Sequence, residues 1–276
     1  MKCVRLKMSY VVKPFFVVLV KVGHMDLESV LEEYLRGEIP QALFTDIDGV
    51  MTVERGGYTI DLDLIKMLRD LIAVGVPVIL VSGNAYPVVL ALQRYLGLSP
   101  IFIAENGCVI HVHGEVQILC RESIDGIASE VASRFYLKPS PSNAYRFCDR
   151  AFHIPDEIKS SVQAVRELEQ RIMASYLNIH AHYTGYLLHI YPKDCSKSIA
   201  MKLVAQKLGI DLSRAVAVGD SVTDVDMIKV VGVGAATGDA DEELKKEAKI
   251  VLPYKASQST KALVSALIEY VRRKKR

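Results

Sequence analysis

From Gln41 almost to the C-terminus, apolar runs of strand length alternate with stretches whose apolar positions recur every three or four residues. The runs are Ala42–Thr45, Val76–Val81, Ile101–Ala104, Ala215–Val218, Val231–Ala235 and Ile250–Leu252. Apolar character that is continuous rather than alternating marks strands covered on both faces, so these runs predict a parallel sheet with helices on each side. Between the first two, Leu64, Ile65, Leu68, Leu71 and Ile72 keep helical spacing, and Gly75 with Pro77 supplies the stop and restart. Further helices are predicted between Asn84 and Gly97 and between Ser196 and Gly209. The fold class expected is therefore α/β, a doubly wound parallel sheet.

The middle of the chain breaks this rhythm. Val109–His113, Val116–Cys120, Tyr145–Ile154 and Ile179–Tyr191 look like strands, and Ile124–Phe135 and Glu157–Ser175 look like helices. They read as an inserted α/β module with boundaries near Gly114 and Pro192. The resulting division is an N-terminal extension over 1–40, a core over 41–114 and 193–276, and the insertion over 115–192.

Composition narrows the function classes. Half of the 276 residues are hydrophobic, 24% are charged and the net charge is +2, so neither disorder nor a polyanion-binding surface is indicated. A nucleic-acid or membrane partner is not expected, and a homo-oligomer is left open. The basic run Arg272–Arg276 closes the last helical pattern and is read as a solvated tail. Tyr10–Val22 is apolar but is interrupted by Lys13, Pro14 and Lys21 and falls short of the roughly 20 residues a membrane span needs. It reads as an extra strand or extension, without the features of a secretory signal, and Met25 offers a second plausible start. The five cysteines, Cys3, Cys108, Cys120, Cys148 and Cys195, contain no CxxC pair. That pattern suggests neither a zinc site nor a disulfide framework, and a reducing cytoplasm fits best.

Candidate chemistry gathers at strand ends. Leu43 to Val50 is an apolar strand that delivers Asp46, Asp48 and Gly49 to its C-terminal end, where ligands bind in open α/β sheets. Ala217 to Asp224 repeats the pattern, with Asp220 after a strand and Asp224 one helical turn later. Four carboxylates at neighbouring strand tips repel unless a cation neutralises them, and Mg²⁺ suits an all-oxygen site, so Asp46, Asp48, Asp220 and Asp224 are the candidate metal ligands. Ser82, Gly83 and Asn84 follow another strand, and Lys197 opens a helix; a hydroxyl, a close backbone N–H and a point charge are what phosphate oxygens require. Taken singly, Ser82 and Asn84 are equally well read as N-caps and Lys197 as a surface lysine.

Together, Asp46-x-Asp48-Gly49, Ser82-Gly83-Asn84, Lys197 and Gly219-Asp220-x-x-x-Asp224 resemble, in order and spacing, the four motifs of the haloacid dehalogenase superfamily. The resemblance spans Gln41 to Val271, and the insertion resembles that family's type-2 cap. Within the superfamily, Ala104-Glu105-Asn106-Gly107, the short cap and the segment from Ala240 to Lys245 resemble the archaeal phosphoglycolate phosphatases, with sugar-phosphate phosphatases as relatives. What this implies is a Mg²⁺-dependent phosphatase acting on a small phosphorylated metabolite, 2-phosphoglycolate first. Asp46 would be nucleophile and metal ligand, Asp48 acid then base, Asp220 and Asp224 metal ligands, and Ser82, Gly83 and Lys197 phosphate holders. Two positions depart from the pattern: Val50 stands for the commoner threonine, and Thr223 for the commoner asparagine, which puts the hydrogen bonding of Asp224 in question. A phosphomutase shares these residues, and a catalytically silent binding module is the alternative of a different class, which would predict erosion that is not seen.

Other residues are read more plainly. His111 with His113 and His180 with His182 each place two imidazoles on a strand, and a cap-surface or half-buried role is preferred over metal binding. Gly232-Val233-Gly234 lacks the third glycine of a dinucleotide fingerprint and reads as a tight strand end. Cys195 is expected to be a small apolar filler. Arg146 and Arg150 could meet a substrate carboxylate, but a solvated strand face is preferred for both.

Overall fold

The computed structural model describes residues 27–276; Cys3, Tyr10–Val22 and Met25 lie outside the described residues. In chain order the elements are α1 (Leu27–Tyr34), β1 (Ala42–Thr45), α2 (Leu62–Ala73), β2 (Val78–Val81), α3 (Tyr86–Tyr95), β3 (Ile101–Ala104), β4 (Val109–Val112) and β5 (Glu115–Ile118). There follow α4 (Asp125–Arg134), β6 (Lys138–Pro139), β7 (Arg150–His153), α5 (Asp156–Lys159), α6 (Val162–Ser175), β8 (Ile179–Tyr183) and β9 (Leu188–Pro192). The chain ends with α7 (Lys197–Leu208), β10 (Ala215–Gly219), α8 (Val225–Lys229), β11 (Val233–Ala236), α9 (Glu242–Glu247), β12 (Ile250–Val251) and α10 (Ala256–Lys274).

One sheet runs in the order β12-β11-β10-β1-β2-β3-β4-β5. Its first six strands are parallel, and β4 and β5 add an antiparallel hairpin at the edge. Side chains of β1 alternate between two cores. Leu43 faces a cluster with Leu68, Val78 and Leu263, while Phe44 faces another with Ile79, Met201 and Ala217. Both faces are dry, which is why the strand is apolar throughout. A second sheet, β6-β7-β9-β8, has its own core, in which Ile124 just before α4, Val131 of α4, and Leu168 and Ile172 of α6 cover Phe152, Ala181 and Ile190.

The structure corrects the sequence at several places. The hairpin of Val109–Val112 and Glu115–Ile118 belongs to the large sheet, so the chain leaves the core after Ile118 rather than near Gly114. The run Ile179–Tyr191 is two antiparallel strands, because Thr184 and Gly185 turn the chain between them. Residues 27–35, assigned to an extension, are part of the core: Leu27, Val30, Leu31 and Leu35 are buried in the cluster that α10 also fills. Arg273 and Lys274 are not a free tail, since they pair with Glu28 and Glu32 of α1 at 2.7 Å. Among the described residues, no helix is long and apolar enough to cross a membrane.

Candidate active site

β1 and β10 pair with Thr45 opposite Val218, so the loops that follow them open side by side. This register brings Asp46, Asp220 and Asp224 together, with a carboxylate oxygen of each within 4.8 Å of the others. All three are buried. Gly49 makes the approach possible: its φ is +70°, and a Cβ there would fall 2.2 Å from Asp220 Oδ2.

Lys197 reaches this cluster from the first residue of α7. Ser196 caps the helix by accepting from Ile199 N, and the lysine side chain, 2% exposed, places Nζ 2.9 Å from Asp46 Oδ2 and 2.5 Å from Asp224 Oδ1. A cation at a helix N-terminus opposes the dipole. Two carboxylates offset that, and although burial works against the lysine's charge, Asp224 and Asp46 outweigh it and raise its pKa. Asp46 gains less from the pair. Burial dominates, and with Asp224 and Asp48 nearby its pKa rises to about 7 despite Lys197. Asp220 is likewise pushed up, first by burial and then by Asp224 and Asp46.

Asp224 does not need an asparagine beside it. Its Oδ2 accepts from the backbone N–H groups of Asp220 and Ser221, and Thr223 hydrogen-bonds Ser221 instead. Near Val50, Thr52 Oγ1 accepts from Gly49 N at 2.9 Å. Asp48 stands apart from the carboxylate cluster. Its Oδ2 accepts from Asn84 Nδ2 at 2.6 Å, so its side chain is not placed among the metal candidates as expected from the sequence. Burial raises its pKa, against the Asn84 hydrogen bond. Ser82 is fully buried and accepts from Asn84 N and Nδ2; Gly83 and Asn84, rather than Ser82, line the cleft.

The cleft measures about 850 Å³ and lies between these loops and the inserted layer, whose Arg146, His182, Tyr186 and His189 line it. Tyr186 closes one side, donating to Gly57 O at 3.0 Å and packing on Tyr58. Arg166 of α6 pairs with Glu243 of α9. Arg146 was expected on a solvated face; it is buried, donating to Gly83 O at 3.0 Å and to Asp149 Oδ2 at 2.8 Å. Asp149 also holds His189 Nδ1 at 2.7 Å and accepts from Asn106 Nδ2. Arg150 turns away and pairs with Asp125. His111 stacks on Phe102 in the core, and His180 stacks on His182, which burial holds down to about 4.

Two residues not named as site candidates from the sequence join the site, although Glu105 falls in the segment Ala104-Glu105-Asn106-Gly107 that carries the family resemblance. Arg55 Nε donates to Asp220 Oδ2 at 2.7 Å while its Nη2 reaches Asp241, which also accepts from Val222 N. Glu105 is fully buried and accepts from the backbone N–H of Phe147, Cys148 and Asp149, fastening the inserted layer to the core. Both lie far in sequence from the groups they touch.

The site thus has a compact carboxylate cluster crossed by one buried lysine, an aspartate held by an amide, and a roofed cleft above them. Three acidic groups against one lysine, all-oxygen in their donors, with Asp46 and Asp220 raised in pKa first by burial and then by their acidic neighbours, fit a hard divalent cation. The chain belongs to the haloacid dehalogenase-like hydrolases: the family model matches residues 43–136 and 137–260. Its similar relatives narrow the class to phosphatases. A phosphoglycolate phosphatase of Metallosphaera sedula is 34% identical, covering 82% of this chain and 98% of its own. That of Sulfolobus acidocaldarius is 31% identical over 82% of this chain and 96% of its own. Among solved structures, a Thermoplasma acidophilum protein superposes with a TM-score of 0.71 at 22% identity, covering 85% and 99% of the two chains. A sugar phosphatase of subclass IIB superposes with a TM-score of 0.64 at 18% identity, over 83% and 98%. The chain is a phosphatase of this superfamily.

Proposed function

We propose that the enzyme hydrolyses 2-phosphoglycolate to glycolate and phosphate with Mg²⁺ as cofactor. The observation that carries this is the meeting of Asp46, Lys197, Asp220 and Asp224 at the floor of a roofed cleft, in a chain whose relatives along most of its length are phosphoglycolate phosphatases. Asp46, Asp220 and Asp224 would hold Mg²⁺, which when bound supplies positive charge to screen the substrate phosphate from the attacking carboxylate. Asp46 attacks phosphorus in line, and the leaving alkoxide departs as the aspartyl-phosphate forms. Asp48, aimed by Asn84 and raised in pKa by burial, protonates that alkoxide. It then removes a proton from the water that hydrolyses the intermediate. Lys197, paired with Asp46 and Asp224, balances phosphoryl charge.

The cleft's size favours a second reading. About 850 Å³ is generous for a two-carbon acid and suits a sugar phosphate. Steady-state hydrolysis of 2-phosphoglycolate, hexose phosphates and pentose phosphates with Mg²⁺, beside Asp46→Asn as control, decides between them. Phosphoglycolate should show the highest kcat/KM and the variant should be inactive. A sugar phosphate preferred by tenfold or more would replace the substrate assignment, and an active variant would remove the nucleophile.

A further inference from the structure

Four cysteines that look unrelated in the sequence converge at the place where the inserted layer joins the core. Cys108 follows the turn Glu105–Gly107, Cys120 lies on the segment leaving β5, Cys148 precedes β7, and Cys195 lies on the segment returning to α7. Sulfur atoms of Cys108, Cys120 and Cys195 all lie within 4.8 Å of one another, with Cys120 Sγ 3.1 Å from Cys195 Sγ. Cys148 is buried in the same cluster as Cys108 and Cys195. Cys195 is buried in an apolar cluster, as a filler would be, and the sequence holds no CxxC pair; the convergence of these cysteines comes from the fold.

The surrounding fold is organised to hold the four together. Gly107, with φ +95°, lets its backbone meet Ser196 so closely that a Cβ would lie 2.0 Å from Ser196 O, which seats Cys108 beside Cys195. Leu119 N donates to Cys108 O at 2.8 Å, bringing Cys120 alongside. Glu105 Oε2 accepts from Cys148 N at 2.9 Å, anchoring the fourth member. The setting is apolar, with Cys108, Cys148 and Cys195 buried in the same cluster as Tyr191, while Cys120 is partly open to solvent and offers an entry path.

We propose that Cys108, Cys120, Cys148 and Cys195 form a thiolate site for Zn²⁺, a clasp that binds both crossings between the inserted layer and the core. Zinc takes four thiolates at about 2.3 Å each, which puts their sulfurs about 3.8 Å apart in a tetrahedron. The observed spacing of Cys108, Cys120 and Cys195 brackets that edge, and Cys148, buried in the same cluster, would supply the fourth thiolate. Binding exchanges the four thiol protons for one metal ion. Because two of the ligands sit on the outgoing and returning segments, the bound metal ties down the hinge of the roof while leaving the Asp46 cluster untouched.

Elemental analysis of the full chain, expressed with zinc in the medium and dialysed against Mg²⁺ buffer, should return about one zinc per chain. A thiol-specific mercurial should release it. Cobalt exchange should give thiolate-to-metal charge-transfer absorption, a signature that carboxylate-bound cobalt does not show. Cys120→Ser, the least buried position, should lose zinc retention at least about tenfold and keep its Mg²⁺-dependent turnover. The wild-type measurements stand whether or not the variant folds. Protein holding less than about a tenth of an equivalent of zinc with no cobalt charge-transfer band would overturn the proposal, as would a Cys120–Cys195 disulfide found by mass spectrometry of non-reduced peptides.

Discussion

Replacing Lys197 by methionine keeps an unbranched side chain one atom shorter and deletes its charge. Nζ lies 2.9 Å from Asp46 and 2.5 Å from Asp224, and all three residues are buried, so the variant leaves two carboxylates without their counter-ion. Breaking a buried pair from one side costs about 3–5 kcal/mol. For a chain of this size that is roughly 6–20 °C in Tm without Mg²⁺. The sign with pH is definite. Asp46 already titrates near 7 in the folded protein against a reference of 3.8, so it stabilises the fold most when protonated, and that contribution is lost as pH rises through 7. Without Lys197 the folded pKa climbs further. The Tm deficit of the variant should therefore grow between pH 6 and pH 8 and shrink when Mg²⁺ is added. In turnover, loss of one preorganised charge beside the phosphoryl group should lower kcat about 10²- to 10³-fold. Melting curves at both pH values, with and without Mg²⁺, together with kcat at saturating substrate, test all of this. A variant within threefold of wild-type kcat, or a Tm deficit indifferent to pH, would refute the electrostatic account of this lysine.

Chelation should abolish turnover, and Mg²⁺ should restore it with an apparent affinity that weakens about tenfold per pH unit below 7, because the metal must displace the proton on Asp46; calorimetric titration at pH 5.5, 6.5 and 7.5 measures the slope. Glu105→Ala removes the acceptor shared by three backbone N–H groups of the inserted layer and should destabilise the protein by about 2–4 kcal/mol, read by urea denaturation. Arg146→Ala leaves Asp149, fully buried and with Oδ1 already lacking a hydrogen bond, to His189 and Asn106. It should cost about 3–5 kcal/mol in the same assay, whereas Arg150→Ala, whose partner Asp125 is exposed, should cost less than about 1 kcal/mol.

What could be read from the sequence is what local chemistry decides. The parallel strands were legible because burial on both faces makes them apolar throughout, and the limits of α7 because Ser196 and Gly209 are a capping pair recognisable in any context. Asp46, Asp220, Asp224 and Lys197 were legible because each follows a strand or opens a helix within a short motif. The strand read at Val116–Cys120 was placed in the insertion because pairing partners, not periodicity, decide which sheet a strand joins. Arg55 and Glu105 were not proposed as site residues, and Arg146 was placed on a solvated face, for the same reason: their meaning lies in groups from distant parts of the chain. The orientation of Asp48 toward Asn84 is a matter of side-chain direction that spacing does not encode.

The inserted layer owns a hydrophobic core of its own, from Ile124 to Ile190, and joins the large sheet by only two crossings. Substitutions inside it need not disturb the pairing of β1 with β10 on which the carboxylate cluster depends. Evolution and protein engineering can therefore rewrite the roof as a separate unit. A library confined to residues 119–192 should change which phosphate ester is accepted while the chemistry beneath persists. In such a molecule, the power to cleave and the choice of what to cleave are inherited on different parts of one chain.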